Sequence, residues 1–245
     1  MLQLDMVFVV TVLSLCLTTP NNAAELTPQP AQTVHAQSHD GWISIKKENG
    51  IQVWKKSLPN NSTMTFRGRL KLPYSINRVF AVLYDHQYKV DWLYMSTEYR
   101  LHQRHSRDKF TVYNRIASPS FMVSDREMYL QNQVVFRPNQ NSILIRFRST
   151  VPKNIPVANG CIRIPNSSGQ WHLQALSENS TEIVFETTAD PGGWVPSWVA
   201  NIGSEDAPWE TLKSLRNQLA KKVYQPGLKQ VNSDFDWSGF SALRH

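Results

Sequence analysis

DPGGWVPSWVANIGSEDAPWETLKSLRNQL, residues 190–219, is the stretch whose reading decides how this chain folds. Pro191, Gly192 and Gly193 stop whatever precedes them, and Trp194, Val195, Trp198, Val199 and Ile202 then recur at helical spacing. The stripe continues through Trp209, Leu212, Leu215, Leu219 and Val223, with Ser204, Asp206 and Pro208 marking a restart or kink partway along. A helix with one long apolar side must bury that side. The residues before it have to supply the surface it covers.

Working back from the helix, the dominant pattern is alternation. In TMTFRGRLKL, Met64, Phe66, Gly68, Leu70 and Leu72 share one face, while Thr65, Arg67, Arg69 and Lys71 share the other. The same parity sets Tyr99 and Leu101 against Arg100, His102 and Arg104. It sets Ile143, Ile145 and Phe147 against Arg146 and Arg148, and Ile183 and Phe185 against Glu182 and Glu186. Half-buried antiparallel strands have this pattern, and together they make one large sheet with a wet face and a greasy face. Helical periodicity is confined to Ile76, Val79, Phe80 and Leu83 behind a capping Ser75, a short segment carrying Tyr88, Trp92 and Met95, and the last helix. With so few helices, the long one is expected across the greasy, concave face.

Two polar residues break that greasy face. Asn114 shares the parity of Phe110, Val112 and Ile116, and Arg126 shares that of Met128, Leu130, Val134 and Phe136. A guanidinium there is costly unless it is paired or hydrogen-bonded, so Arg126 is either a buried ion-pair partner or a polar anchor in an apolar cavity. Signatures of catalysis and of metals are missing: there is no G-x-S-x-G, H-E-x-x-H or C-x-x-C, and His102 and His105 alternate to opposite faces of a strand. No catalytic residue, metal or cofactor is expected.

Twenty-six Lys and Arg against nineteen Asp and Glu give a formal charge of +7, which favours contact with anionic surfaces. Nucleic acid is not expected, because no aromatics interleave with the strand-face charges to stack bases. The two cysteines, Cys16 and Cys161, provide no disulfide framework. Residues 6–17, MVFVVTVLSLCL, have the length of a signal-peptide core, so residues 1–23 are expected to direct export, periplasmic or secreted, or to tether the chain to a membrane. Residues 24–40 are polar with Pro28 and Pro30 and are expected to be a flexible linker. One domain is expected over 41–224, and residues 225–245, opening on Pro226–Gly227, are expected as a loosely held tail.

With the strands, the inward arginine and the closing helix in view, residues 41–222 resemble the START (steroidogenic acute regulatory protein-related lipid-transfer) family. SPSFMVSDREMYL is similar to its proline, short gap, Arg-Asp-aromatic motif, although Glu127 stands where Asp is usual. The opening stretch is similar to its Gly-Trp-aliphatic-Pro lead into the last helix, and VDWLYM to its Trp-containing second helix. The resemblance implies an α+β helix-grip fold: a curved antiparallel sheet wrapped around a long C-terminal helix, enclosing a hydrophobic tunnel for one lipid. It implies that STVPKNIPVANG, residues 149–160, acts with that helix as a lid. The expected ligand-binding set is Arg126, Asn114, Phe147, Phe185, Trp194, Val195, Trp198, Val199 and Ile202. Trp194 and Trp198 are expected to roof the tunnel, in a monomer that meets membranes transiently. The alternatives are an enzyme of the same superfold, a cyclase or hydrolase acting on a hydrophobic substrate, and a scaffold whose cavity is filled by its own side chains.

Overall fold

A computed structural model describes residues 40–57, 64–118, 120, 122–189, 197–221 and 225–243, all within one compact unit. The expected signal segment, the linker up to residue 39, Trp194 and Val195 lie outside the described residues. For Trp198, Val199 and Ile202 only the helical backbone is described.

The strands are β1 (Ile43–Glu48), β2 (Ile51–Ser57), β3 (Met64–Leu72), β4 (Ser96–Arg104), β5 (Lys109–Ile116), β6 (Asp125–Arg137), β7 (Ser142–Thr150), β8 (Cys161–Arg163), β9 (Ser167–Ser177) and β10 (Ser180–Ala189). Nine of them form one continuous antiparallel path in the order β1-β2-β3-β10-β9-β7-β6-β5-β4, and β8 pairs parallel with β6. Alternation does what the sequence requires of it. Phe66, Leu70 and Leu72 are buried on one face of β3, whereas Arg67 on the other face pairs with Glu186 of β10 at 2.6 Å. The edge strand β4 departs from this order. Its register shifts between Leu101 and Gln103, and Leu101, expected on the greasy face, is 37% exposed.

Among the described residues, three α-helices accompany the sheet: α1 (Ile76–Tyr84), α2 (Ser197–Leu219) and α3 (Gln225–Asp234). Helix α2 packs on β2, β3 and β10, with Trp209, Leu212, Leu215 and Leu219 buried in the shared core. It runs through Pro208 as one helix, not as the two segments its sequence suggests. Gly68 makes this packing possible, because a Cβ there would lie 2.7 Å from Leu212 Cδ1 and 3.1 Å from Pro208 Cβ. Ser75 occupies the N-cap of α1, yet its hydroxyl donates to Asn77 Oδ1 at 2.5 Å instead of accepting a backbone N–H. The segment around Trp92 is a short 3-10 turn, Lys89–Asp91, rather than a helix, and Met95 ends it in the left-handed region at φ 55°.

The C-terminal segment is a larger correction. Residues 225–243 are no loose tail: α3 packs on α1, and Val231, Phe235 and Phe240 are buried in the main core. Phe235 stacks on Phe136 of β6 with centroids 4.9 Å apart and meets Phe80 of α1 edge-on at 5.2 Å. Pro226 falls in the first turn of α3, where a missing N–H costs nothing, so it starts a helix instead of breaking one.

Candidate functional site

Inward-facing residues of seven strands leave a cavity between the concave face, α2 and the turn after α1, with a volume near 210 Å³. Phe66, Phe110, Met128, Ile145, Phe147, Trp171 and Phe185 give it an apolar wall. Trp171 and Phe185, opposite each other on β9 and β10, stack with centroids 3.9 Å apart, and Trp92 meets Trp171 edge-on at 6.0 Å. Ala207 and Thr211 bring α2 to the opposite side.

Several polar side chains interrupt this wall, and some of them are specifically held. Asn114 is buried on β5, opposite Met128, and its Oδ1 accepts from Ser96 Oγ at 2.6 Å. Asn132, in line with Met128 and Leu130 on β6, spends an amide N–H on the Leu130 carbonyl. The most consequential polar residue is Lys89. It is 5% exposed and lines the cavity; its Nζ donates to the Leu83 carbonyl at 2.6 Å and lies 4.6 Å from the Trp92 ring and 5.5 Å from that of Tyr99. Burial lowers its amine to about 7, against a smaller upward pull from Asp85. Burial also raises the Tyr99 hydroxyl.

Of the expected ligand-binding set, the structure brings Asn114, Phe147 and Phe185 together in the cavity wall. Arg126 points inward opposite Ile116 and is 8% exposed, but its guanidinium turns back to the Ser124 carbonyl and it is not among the lining residues. Sequence reasoning missed Lys89, which sits in a turn where no periodicity assigns a side. It also missed Asn132, which parity with Met128 and Leu130 would have found. Among the described residues, no group of three or more His, Cys, Asp or Glu side chains is placed to hold a metal. Cys161 is half-buried at the start of β8, away from the cavity, and burial raises its thiol pKa.

Just outside the cavity, the loop 151–160 is tied to the sheet. Glu127, 1% exposed, accepts from Arg163 at 2.6 Å, from the Tyr113 hydroxyl and from the Ala158 N–H. Arg163 in turn donates to the carbonyls of Ile155 and Pro156, at 2.8 Å each. The Glu at position 127 therefore anchors the expected lid segment from inside the sheet.

The chain matches the START domain over residues 31–221. It belongs to the START family. A STAR-related lipid transfer protein from Xanthomonas axonopodis is similar in structure, with TM-score 0.67 and 28% identity, covering 74% of this chain and all of that one. An uncharacterised protein of Pseudomonas aeruginosa is 29% identical over 183 residues, 75% of this chain and 89% of the relative. The bovine phosphatidylcholine transfer protein is 23% identical over 183 residues, 74% of this chain and 84% of its own. The START match ends at residue 221, so α3 and the aromatic segment after it lie beyond the matched region yet share its core.

Proposed function

We propose that this START domain binds one lipid with its apolar part in the cavity, closed by α2 and the loop 151–160, and transfers it between membranes. The carrying observation is the wall itself: seven strands converge apolar and aromatic side chains on one cavity under α2. Shielding an acyl chain from water is worth about 0.8 kcal/mol per methylene, or about 12 kcal/mol for sixteen carbons, and such a wall supplies that shielding. The lipid-transfer relatives support the same reading. No His, Cys or carboxylate appears among the described lining residues to pair with Lys89, whose amine is engaged by the Leu83 carbonyl, and this favours carriage over paired acid–base chemistry. The apolar run at residues 6–17 and the polar stretch behind it support an exported setting, and the +7 charge supports transient contact with anionic membranes. The test is transfer of a fluorescent lipid from donor to acceptor vesicles. Transfer well above the protein-free rate is expected, and a rate equal to it would refute the proposal.

A further inference from the structure

The polar groups around Lys89 are rich in hydrogen-bond donors. Lys89 has three N–H donors, one of which goes to the Leu83 carbonyl. Among the described residues no carboxylate lies within ion-pair distance of it, Asp85 acting only from farther off, and its near neighbours are the faces of Trp92 and Tyr99 and the ring of His86. Trp92, 3% exposed in the cavity wall, carries an indole N–H with no acceptor. Tyr99 stands directly opposite Asn114 across β4 and β5, so the amide of Asn114 belongs to the same neighbourhood, and its oxygen is already taken by Ser96. Beside the Tyr99 hydroxyl, which can donate or accept, this side of the cavity offers the Lys89 amine, an indole N–H and an amide nitrogen, and those three present N–H donors.

We propose that the cavity selects a lipid with an acidic, acceptor-only head group, a carboxylate or a phosphate monoester, held by Lys89 with Trp92 and Asn114. The inference rests on the lipid-binding function above and deepens it. Burial makes the charged form of Lys89 costly, and an anionic head group would favour that form by supplying a close counter-charge and acceptors for its N–H groups. A head group ending in a quaternary ammonium would bring a second cation to a wall whose described lining residues include no carboxylate. Lys89 also serves the last turn of α1, where a cation favours the negative end of the helix dipole. That role occupies one donor and does not require the amine to line a cavity.

The test uses the full chain and four probes: palmitate, hexadecanol, and vesicles of phosphatidylcholine with or without phosphatidic acid. Palmitate or phosphatidic acid should bind at least about tenfold more tightly than its neutral counterpart, the usual scale for a hydrogen bond to a charged group. The preference should vanish in Lys89→Met and survive in Lys89→Arg. Preference for palmitate over phosphatidic acid assigns the head group as a carboxylate, and the reverse assigns a phosphate monoester. Equal binding of hexadecanol and palmitate, with phosphatidic acid adding nothing over phosphatidylcholine, would overturn the proposal while leaving lipid binding intact. A Lys89→Met protein that keeps the preference would overturn it too. Should Lys89→Met fail to fold, the comparison of probes on the unmodified protein decides alone. Binding of none of the four would remove the lipid-binding function together with the inference.

Discussion

His86 shows how much a single side chain in this fold is governed by its surroundings. Its ring lies among Tyr84, Tyr99 and Phe110, both ring nitrogens are buried without partners, and Lys89 and Arg104 are near. Burial first, then those two cations, lowers its pKa from 6.5 to about 3. The folded state therefore holds the neutral ring while the unfolded chain takes up a proton, so stability should fall as pH drops from 6.5 toward 3. Thermal melts across that range should show a shallower loss for His86→Phe than for the unmodified protein, and parallel curves would contradict the assignment. The Glu127–Arg163 pair is a second case, because truncating one partner strands a buried charge. Arg163→Met should cost about 3–5 kcal/mol in a urea titration, and a loss below about 1 kcal/mol would mean that the pair is replaceable. Parity revealed Asn114, but it was silent on Lys89, because a turn has no period to assign its side chains.

At the level of elements, the strands were legible because one face of each is buried and the other wet, and a period of two records this directly. The continuity of α2 was less legible. Pro208, Gly203 and Asp206 argue locally for a break, yet packing of Trp209, Leu212 and Leu215 on the sheet carries the helix through. Pro226–Gly227 has the look of punctuation, but Val231 one turn on and Phe235 a turn beyond it already carried an apolar stripe. The consequence is testable by truncation after residue 224. Removing Phe235, Trp237 and Phe240 uncovers Phe80 and Phe136, so the shortened protein should melt well below the full chain, by about 2–4 °C for each kcal/mol lost at this size. An unchanged melting temperature would return the segment to the status of a tail.

For the whole molecule, the fold and the greasy interior could be read from the sequence, whereas the contents of the polar wall could not. Which polar side chains reach the cavity depends on how the turn after α1 is laid against β4 and β5, and that is a tertiary outcome. The central claim is that this interior is where the lipid sits, and Ala207 offers a direct way to ask. It is a small residue on α2 that lines the cavity opposite the aromatic wall, so Ala207→Phe should fill the space with little disturbance to the sheet. Native mass spectrometry of the two proteins, purified alike and shown to be folded, is the most direct measurement. The account predicts one lipid per chain in the unmodified protein and none in Ala207→Phe. An empty unmodified protein, or equal lipid in both, would contradict it.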